Sequence, residues 1–243
     1  MLEDPQGKTI QGMVIDAVGT LIDPVPSVGN VYAEAARRQG VEIRDEEVRE
    51  RFKRSFGADE VDDLRGPLAT DEAIEQRRWR RIVADVLPGL PDPERAFNEL
   101  WNHFARPSAW QCYPDVHPAL KIFFQLNLNI CIGSNFDGRL RGVLLGLPEL
   151  NNFGPGLADS VVISSEVGRR KPHPDFYAAA CDRLDLPADR VLFVGDDLEN
   201  DLQGPRRAGL QAVLIDRSGQ FPGDIPRLPD LLALANKLTQ AAA

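Results

Sequence analysis

The chain has 243 residues, 43% hydrophobic and 27% charged, a composition that excludes a wholly disordered or collagen-like protein and is long enough to bury a core. Against a typical domain of roughly 150 residues, this length means one domain with a large insertion, or two domains. The 28 basic and 37 acidic residues leave a net charge of −9, which argues against nucleic acid as a partner, and no run of about twenty apolar residues is present to cross a membrane.

The start, Met1 to Lys8, is polar and acidic and lacks the basic-then-apolar order of a secretion signal, so a soluble, cytoplasmic protein is expected. Gly12 to Ile15 is an apolar run closing on Asp16, with Gly19 and Thr20 just beyond, and reads as a buried strand ending in a tight turn. From Pro24 to Trp110 strand-like runs vanish. Amphipathic helices are predicted at about 28–40, 45–57, 71–87 and 92–106, a helical insertion that forms a second small domain. Within it, the run Arg77 to Arg81 could bind phosphate or nucleic acid. The plainer reading puts these arginines in water beside Glu72 and Glu75, with Trp79, Ile82, Val83 and Val86 on the buried face; Arg51, Lys53 and Arg54 read the same way.

After Trp110, strands and helices alternate. Apolar runs at Leu128–Gly133, Ser160–Ser165, Arg190–Gly195 and Ala212–Ile215 predict four more strands. Helical spacing lies between them at Val116–Leu126 and Phe176–Leu184, and a last helix takes in Leu228, Leu231, Leu232 and Leu234. Strands this apolar, separated by helices, indicate a parallel sheet covered on both faces, a Rossmann-like α/β core. The three cysteines, Cys112, Cys131 and Cys181, form no C-x-x-C pair and read as structural thiols of a reducing compartment. His103 and His117 read as surface or helix-end residues.

In an open parallel sheet, ligands bind beyond the carboxyl ends of the strands. Here Asp16, Ser134, and Asp196 with Asp201 follow strands one, two and four, and Lys171 follows the third by a short loop. Each residue type has a part in phosphoryl transfer: a carboxylate attacks phosphorus, cations screen its charge and a hydroxyl donates to its oxygens. Asp16 packed beside Asp196 would repel it without a cation, and Mg²⁺, held by one or two carboxylates plus other oxygens, suits that ligand set.

Four motifs in order carry a resemblance: Asp16-Ala17-Val18-Gly19-Thr20-Leu21, Ser134-Asn135, Lys171-Pro172-His173-Pro174 and Gly195-Asp196-Asp197-Leu198-Glu199-Asn200-Asp201. With them, over nearly its whole length, the sequence resembles the haloacid dehalogenase (HAD) superfamily of hydrolases, subfamily IA. Ser134-Asn135-Phe136-Asp137 and Gln203-Gly204-Pro205-Arg206 are similar to the branch related to rhythmically expressed gene two. The resemblance implies a HAD-like α/β core at 8–24 and 111–243 and an α-helical cap domain at 25–110. It further implies Asp16 as the nucleophile that becomes an aspartyl-phosphate and Ser134 and Lys171 holding the transferring group. Thr20 and Asn135 would lie at the phosphate, and Asp16, Asp196, Asp201 and the backbone carbonyl of Val18 would hold Mg²⁺. His173 is given no role, and Asp197 a supporting one.

One position departs from the family pattern. Family phosphatases carry a second aspartate two residues after the nucleophile, as general acid and then base, and this chain has Val18 there. Positioned acid–base catalysis is worth roughly 10²–10⁴ in rate, so turnover of poor leaving groups should suffer most. The function expected is a Mg²⁺-dependent phosphatase of a small phosphorylated metabolite, weakened by Val18, with no nucleic-acid or membrane partner and a monomeric or homodimeric state. The alternatives are a non-catalytic ligand- or partner-binding protein and a metal-independent 2-haloacid dehalogenase. Dehalogenases have a tyrosine where Val18 stands and serine-type residues where this chain has Asp196, whose charge would repel an anionic haloacid.

Overall fold

The computed structural model describes residues 10–151, 157, 159–221, 223 and 225–242. The segment Met1 to Lys8 and the first two residues of the expected core, Lys8 and Thr9, lie outside the described residues. The first apolar run is strand β1 (Gly12–Ile15). The chain continues through β2 (Ile22–Pro24), helices α1 (Val28–Arg37), α2 (Asp45–Arg65), α3 (Glu72–Val86) and α4 (Pro93–His103), then β3 (Trp110–Cys112) and α5 (Val116–Gln125). It goes on with β4 (Asn129–Ser134), α6 (Arg139–Leu145), α7 (Pro148–Asn151), β5 (Val161–Ile163), α8 (Ser164–Val167) and α9 (Pro174–Leu184). The last elements are β6 (Val191–Gly195), a π-helical turn Leu198–Gln203, α10 (Gly204–Arg207), β7 (Gln211–Ile215), β8 (Arg227–Leu228) and α11 (Leu231–Ala242).

Among the described residues six strands form one parallel sheet in the order β5-β4-β1-β6-β7-β8. The expected Rossmann-like α/β fold is therefore what the chain adopts. Alternate side chains of each strand point to opposite faces, which is why the runs are apolar throughout. Met13, Ile15, Ile132 and Val194 join a core with α5, α6 and α11 on one face. Val14, Cys131 and Phe193 join a second core with α9 on the other.

Helices α1 to α4 pack on one another around their own apolar cluster, which includes Tyr32, Val48, Ile82, Val86 and Phe97. Their starts follow local chemistry. Asp71 accepts the Ile74 N–H at 2.7 Å and Asp92 the Arg95 N–H at 2.9 Å, with Pro93 in the first turn of α4. Helix α2 continues through Gly57 to Arg65, beyond the expected end at 57; a glycine inside a helix costs about 1 kcal/mol, too little to stop it.

Two further differences concern short strands. Antiparallel β2 and β3, paired from Ile22↔Cys112 to Pro24↔Trp110, join the helices to the sheet. Leu228, expected in the terminal helix, instead pairs with Ile215 in β8, and the helix begins after Asp230, whose carboxylate accepts the Ala233 N–H at 2.7 Å. All three cysteines are free, and burial pushes Cys112 and Cys131 up to about 12 and Cys181 to about 11, as inert thiols require. No described helix is long and apolar enough to cross a membrane.

Candidate active site

β1 lies between β4 and β6, with Ile15 level with both Ile132 and Val194. The residues after these strands therefore emerge together at the carboxyl edge of the sheet, where the strand order diverges on either side of β1. Asp16 donates its backbone N–H to the Val194 carbonyl at 2.8 Å and is 6% exposed. Ser134 closes β4 and is buried, and Asp196 follows β6. The loop after Asp16 turns at Gly19, whose φ of +90° suits glycine; a Cβ there would run into the Asp196 carboxylate.

Lys171 reaches this edge from the loop before α9. Its Nζ donates to Asp16 Oδ1 at 2.6 Å, to Asp201 Oδ1 at 2.7 Å and to the Gly133 carbonyl at 3.3 Å. Asp201 projects from the π-helical turn, and its Oδ2 also accepts the Asp197 N–H at 3.0 Å. Asp197 caps that turn by accepting the Glu199 and Asn200 N–H groups.

The electrostatics are unbalanced. Carboxylate oxygens of Asp16, Asp196 and Asp201 all lie within 4.8 Å of one another, three acids around one ammonium. Burial holds the Asp16 carboxyl well above the usual range; Lys171 pulls it down, and Asp201 and Asp196 push it up. Burial and the Asp201 charge raise Asp196 to about 7. For Lys171 burial favours the neutral amine, but Asp16 and Asp201 outweigh it and keep the ammonium charged. A buried cluster with surplus negative charge and hard oxygen donors fits a divalent cation of the Mg²⁺ type.

Of the residues expected at the site, Asp16, Val18, Ser134, Asn135, Lys171, Asp196 and Asp201 line one cavity of about 330 Å³ between the sheet edge and helices α1 to α4. Thr20, expected at the phosphate, is instead fully buried and donates its hydroxyl to Asp196 Oδ1 at 3.2 Å. Asn135 lines the cavity, but its amide is occupied: Nδ2 donates to the Lys171 carbonyl at 3.1 Å and Oδ1 accepts the Lys171 N–H at 2.7 Å. Both act on the site by fixing another residue. His173 caps α9 by accepting the Asp175 N–H at 3.2 Å.

One surface expectation is corrected. Arg78 and Glu75 do not lie in water: they are 6% and 1% exposed. Arg78 pairs with the buried Asp59, and Glu75 accepts the Thr70 hydroxyl at 2.6 Å and pairs with Arg170, next to Lys171. The sequence did contain a signal, because Arg78 is one helical turn before Ile82 and shares its face with Glu75.

Two other residues were not anticipated. Arg139 makes a two-pronged pair with Asp137, both contacts at 2.7 Å, donates to the Trp101 carbonyl at 2.9 Å and places its guanidinium 3.3 Å from the Trp101 ring centre. Arg217 donates to the Thr20 carbonyl at 2.7 Å and pairs with Asp115 at 2.8 Å, pinning the loop that carries the Asp16 motif.

Residues 10–209 match the haloacid dehalogenase-like hydrolase family. The chain belongs to the haloacid dehalogenase-like hydrolases. Within this group it is 28% identical over 215 residues, 86% of each chain, to haloacid dehalogenase-like hydrolase domain-containing protein 3 of Danio rerio. It is 40% identical over 153 residues, 62% of this chain and 61% of the other, to glyceraldehyde 3-phosphate phosphatase of Methanopyrus kandleri. The L-2-haloacid dehalogenase of Xanthobacter autotrophicus shares the fold, with a TM-score of 0.71 at 23% identity over 97% of this chain and 100% of the other. The chain is thus similar to a relative named for phosphate chemistry and shares its fold with proteins named for dehalogenation, and the site has to separate the two.

Proposed function

We propose that this hydrolase is a Mg²⁺-dependent phosphatase of a small phosphorylated molecule, with the 25–110 helices as a cap over the core of 8–24 and 111–243. The observation that carries the reading is the cluster of Asp16, Asp196 and Asp201 around Lys171. A small haloacid anion would meet three carboxylates with one ammonium against them, whereas a phosphate group accompanied by a divalent cation would complete the charge balance.

Asp16, Asp196, Asp201 and the Val18 carbonyl would hold the metal, which when bound would screen the phosphate charge and neutralise the cluster. The protein's own part follows from the contacts above. A carboxylate oxygen of Asp16 attacks phosphorus, the bond to the leaving oxygen breaks and an aspartyl-phosphate forms. Lys171 and Ser134 hold the transferring oxygens, and Thr20 and Asn135 fix Asp196 and Lys171. Water then cleaves the acyl phosphate, returning the Asp16 carboxylate and releasing phosphate.

The test is phosphate release from acetyl phosphate by wild type and Asp16→Asn, with Mg²⁺ and with EDTA. Turnover that needs both the metal and Asp16 supports the reading. Halide release from 2-chloropropionate in EDTA would replace it with dehalogenation, and ligand binding without turnover, unchanged in Asp16→Asn, with a non-catalytic binder.

A further inference from the structure

The cavity has two unlike halves. Against the charged sheet edge stand aromatic side chains, Phe52 and Phe56 from α2, Trp79 from α3, Trp101 from α4, Trp110 from β3 and Phe136 from the loop after β4. Phe52 stacks on Phe56 with ring centres 5.7 Å apart, Phe56 lies 6.2 Å from Trp79, and Trp110 meets Phe136 edge-on at 6.1 Å. All three tryptophans of the chain line this space. Such a wall favours a flat, apolar group and offers little to a polyhydroxy metabolite, whose hydroxyls would be desolvated without partners.

The proton inventory points the same way. Val18 lines the cavity near Asp16 and has no proton to give. Glu75 also lines it, but its carboxylate is held by Thr70 and Arg170. Asp197 accepts the backbone N–H groups of Glu199 and Asn200 on Oδ1, and the remaining acidic side chains that line the cavity among the described residues, Tyr32 and Glu60, stand on helices α1 and α2. The carboxylates of Asp16, Asp196 and Asp201 are committed to nucleophile and metal in the reading above. A leaving oxygen that departs without protonation must be a stable anion: a phenol has a pKa of about 10, whereas a simple alcohol lies near the value for water, about 15.7.

Resting on the phosphatase reading, we infer that the substrate class is the aryl phosphate monoesters, with the ring seated between the cap aromatics and the phosphate at Asp16. In the first step the Asp16 carboxylate bonds to phosphorus and the P–O(aryl) bond breaks, its electron pair leaving on the phenolate oxygen. Bulk water protonates the phenolate after release. Hydrolysis of the aspartyl-phosphate then yields phosphate and one proton to solvent.

Four probes separate ring recognition from leaving-group quality: phenyl phosphate has both, benzyl phosphate the ring alone, acetyl phosphate the good leaving group alone and propyl phosphate neither. With the full chain and Mg²⁺, kcat/KM for phenyl phosphate should exceed that for benzyl and propyl phosphate by about 10² or more, the low end of what an acid contributes. Benzyl phosphate should compete with phenyl phosphate more tightly than propyl phosphate does, and should quench tryptophan fluorescence on binding. Val18→Asp should accelerate benzyl phosphate more than phenyl phosphate. Trp79→Leu should raise KM for phenyl phosphate relative to acetyl phosphate by about tenfold, and Phe56→Leu serves if that variant does not fold.

Turnover of propyl or benzyl phosphate within tenfold of phenyl phosphate overturns the inference. So does an alkyl phosphatase activity abolished by Glu60→Gln, because that cavity-lining carboxylate would then be the acid. Mg²⁺- and Asp16-dependent hydrolysis of acetyl phosphate with no preference for phenyl over propyl phosphate removes the aryl class and leaves the phosphatase reading standing. Inertness toward all four removes both.

Discussion

Lys171 Nζ lies 2.6 Å from Asp16 Oδ1, although 155 residues separate the two in sequence, and both are more than nine-tenths buried. The ammonium is held between Asp16 and Asp201, so removing it leaves two buried carboxylates facing each other and Asp196. Breaking a buried pair costs about 3–5 kcal/mol. Lys171→Met should therefore lower stability in urea by that order near neutral pH, and by less near pH 5, where the carboxyls take up protons. Phosphate release should fall about 10²–10³-fold, as for loss of a charge-stabilising donor. A variant as stable as wild type at neutral pH would show that the ammonium does not offset the cluster.

The same cluster links metal, pH and stability. Burial and Asp201 raise the Asp196 carboxyl to about 7 in the fold, against about 3.9 in an unfolded chain. Between those values the folded protein holds a proton that the unfolded chain has released, so the contribution of this carboxyl to stability falls as pH rises from about 4 to about 7. A divalent cation requires the deprotonated carboxylates and acts in the opposite direction. Millimolar Mg²⁺ should raise Tm near pH 8 and have little effect near pH 5, with about 2.7 kcal/mol of stabilisation when the ion is at a hundred times its Kd. Differential scanning fluorimetry against sodium at matched ionic strength checks this, and equal shifts at both pH values would dissociate the metal from these carboxylates.

The residues at the sheet edge were legible because short apolar runs stop abruptly at Asp16, Ser134 and Asp196, and a parallel sheet gathers its strand ends at one edge. The parts that position them were not. Thr20 and Asn135 sit inside the motifs, yet only the structure shows their side chains turned to Asp196 and Lys171. Glu75 meets a partner 95 residues away, a pairing that helical spacing cannot report. Strands β2 and β3 have three residues each, too short for a period-two pattern, and Leu228 could be taken into the last helix because its spacing to Leu231 and Leu232 suits a helix. Of the aromatic wall the sequence places only Trp79, on the buried face of an amphipathic helix, and the spacing that buries a ring is the same whether it meets other rings or a ligand.

Arg139 connects the sheet core to α4 through one side chain. Its partner Asp137 is fully buried, and a lysine could neither form the two-pronged pair nor lie flat on Trp101. Arg139→Lys should lower stability by about 1–2 kcal/mol, whereas Arg139→Ala, which leaves the Asp137 charge unpaired, should cost about 3–5 kcal/mol. Because Trp101 and Arg139 both line the cavity, either change should raise KM for an aryl phosphate more than it lowers kcat. Urea melts with steady-state kinetics on each variant measure both, and a fall in kcat at constant KM would place Arg139 in the chemistry instead.

Asn135 separates positioning from binding. Its amide is engaged on both sides by the Lys171 backbone, so it controls where the ammonium lies. A displacement of about 1 Å in a reacting constellation can cost 10²-fold in rate. Asn135→Ala should accordingly lower kcat for acetyl phosphate by about 10²-fold with little change in KM, while inhibition by inorganic phosphate stays near the wild-type value. Asn135→Asp keeps the acceptor for the Lys171 N–H but loses the donor to its carbonyl, and should recover only part of the rate. If Asn135→Ala instead weakens phosphate inhibition in proportion to its loss of activity, the amide binds the phosphate directly and the reciprocal clamp is not its catalytic contribution.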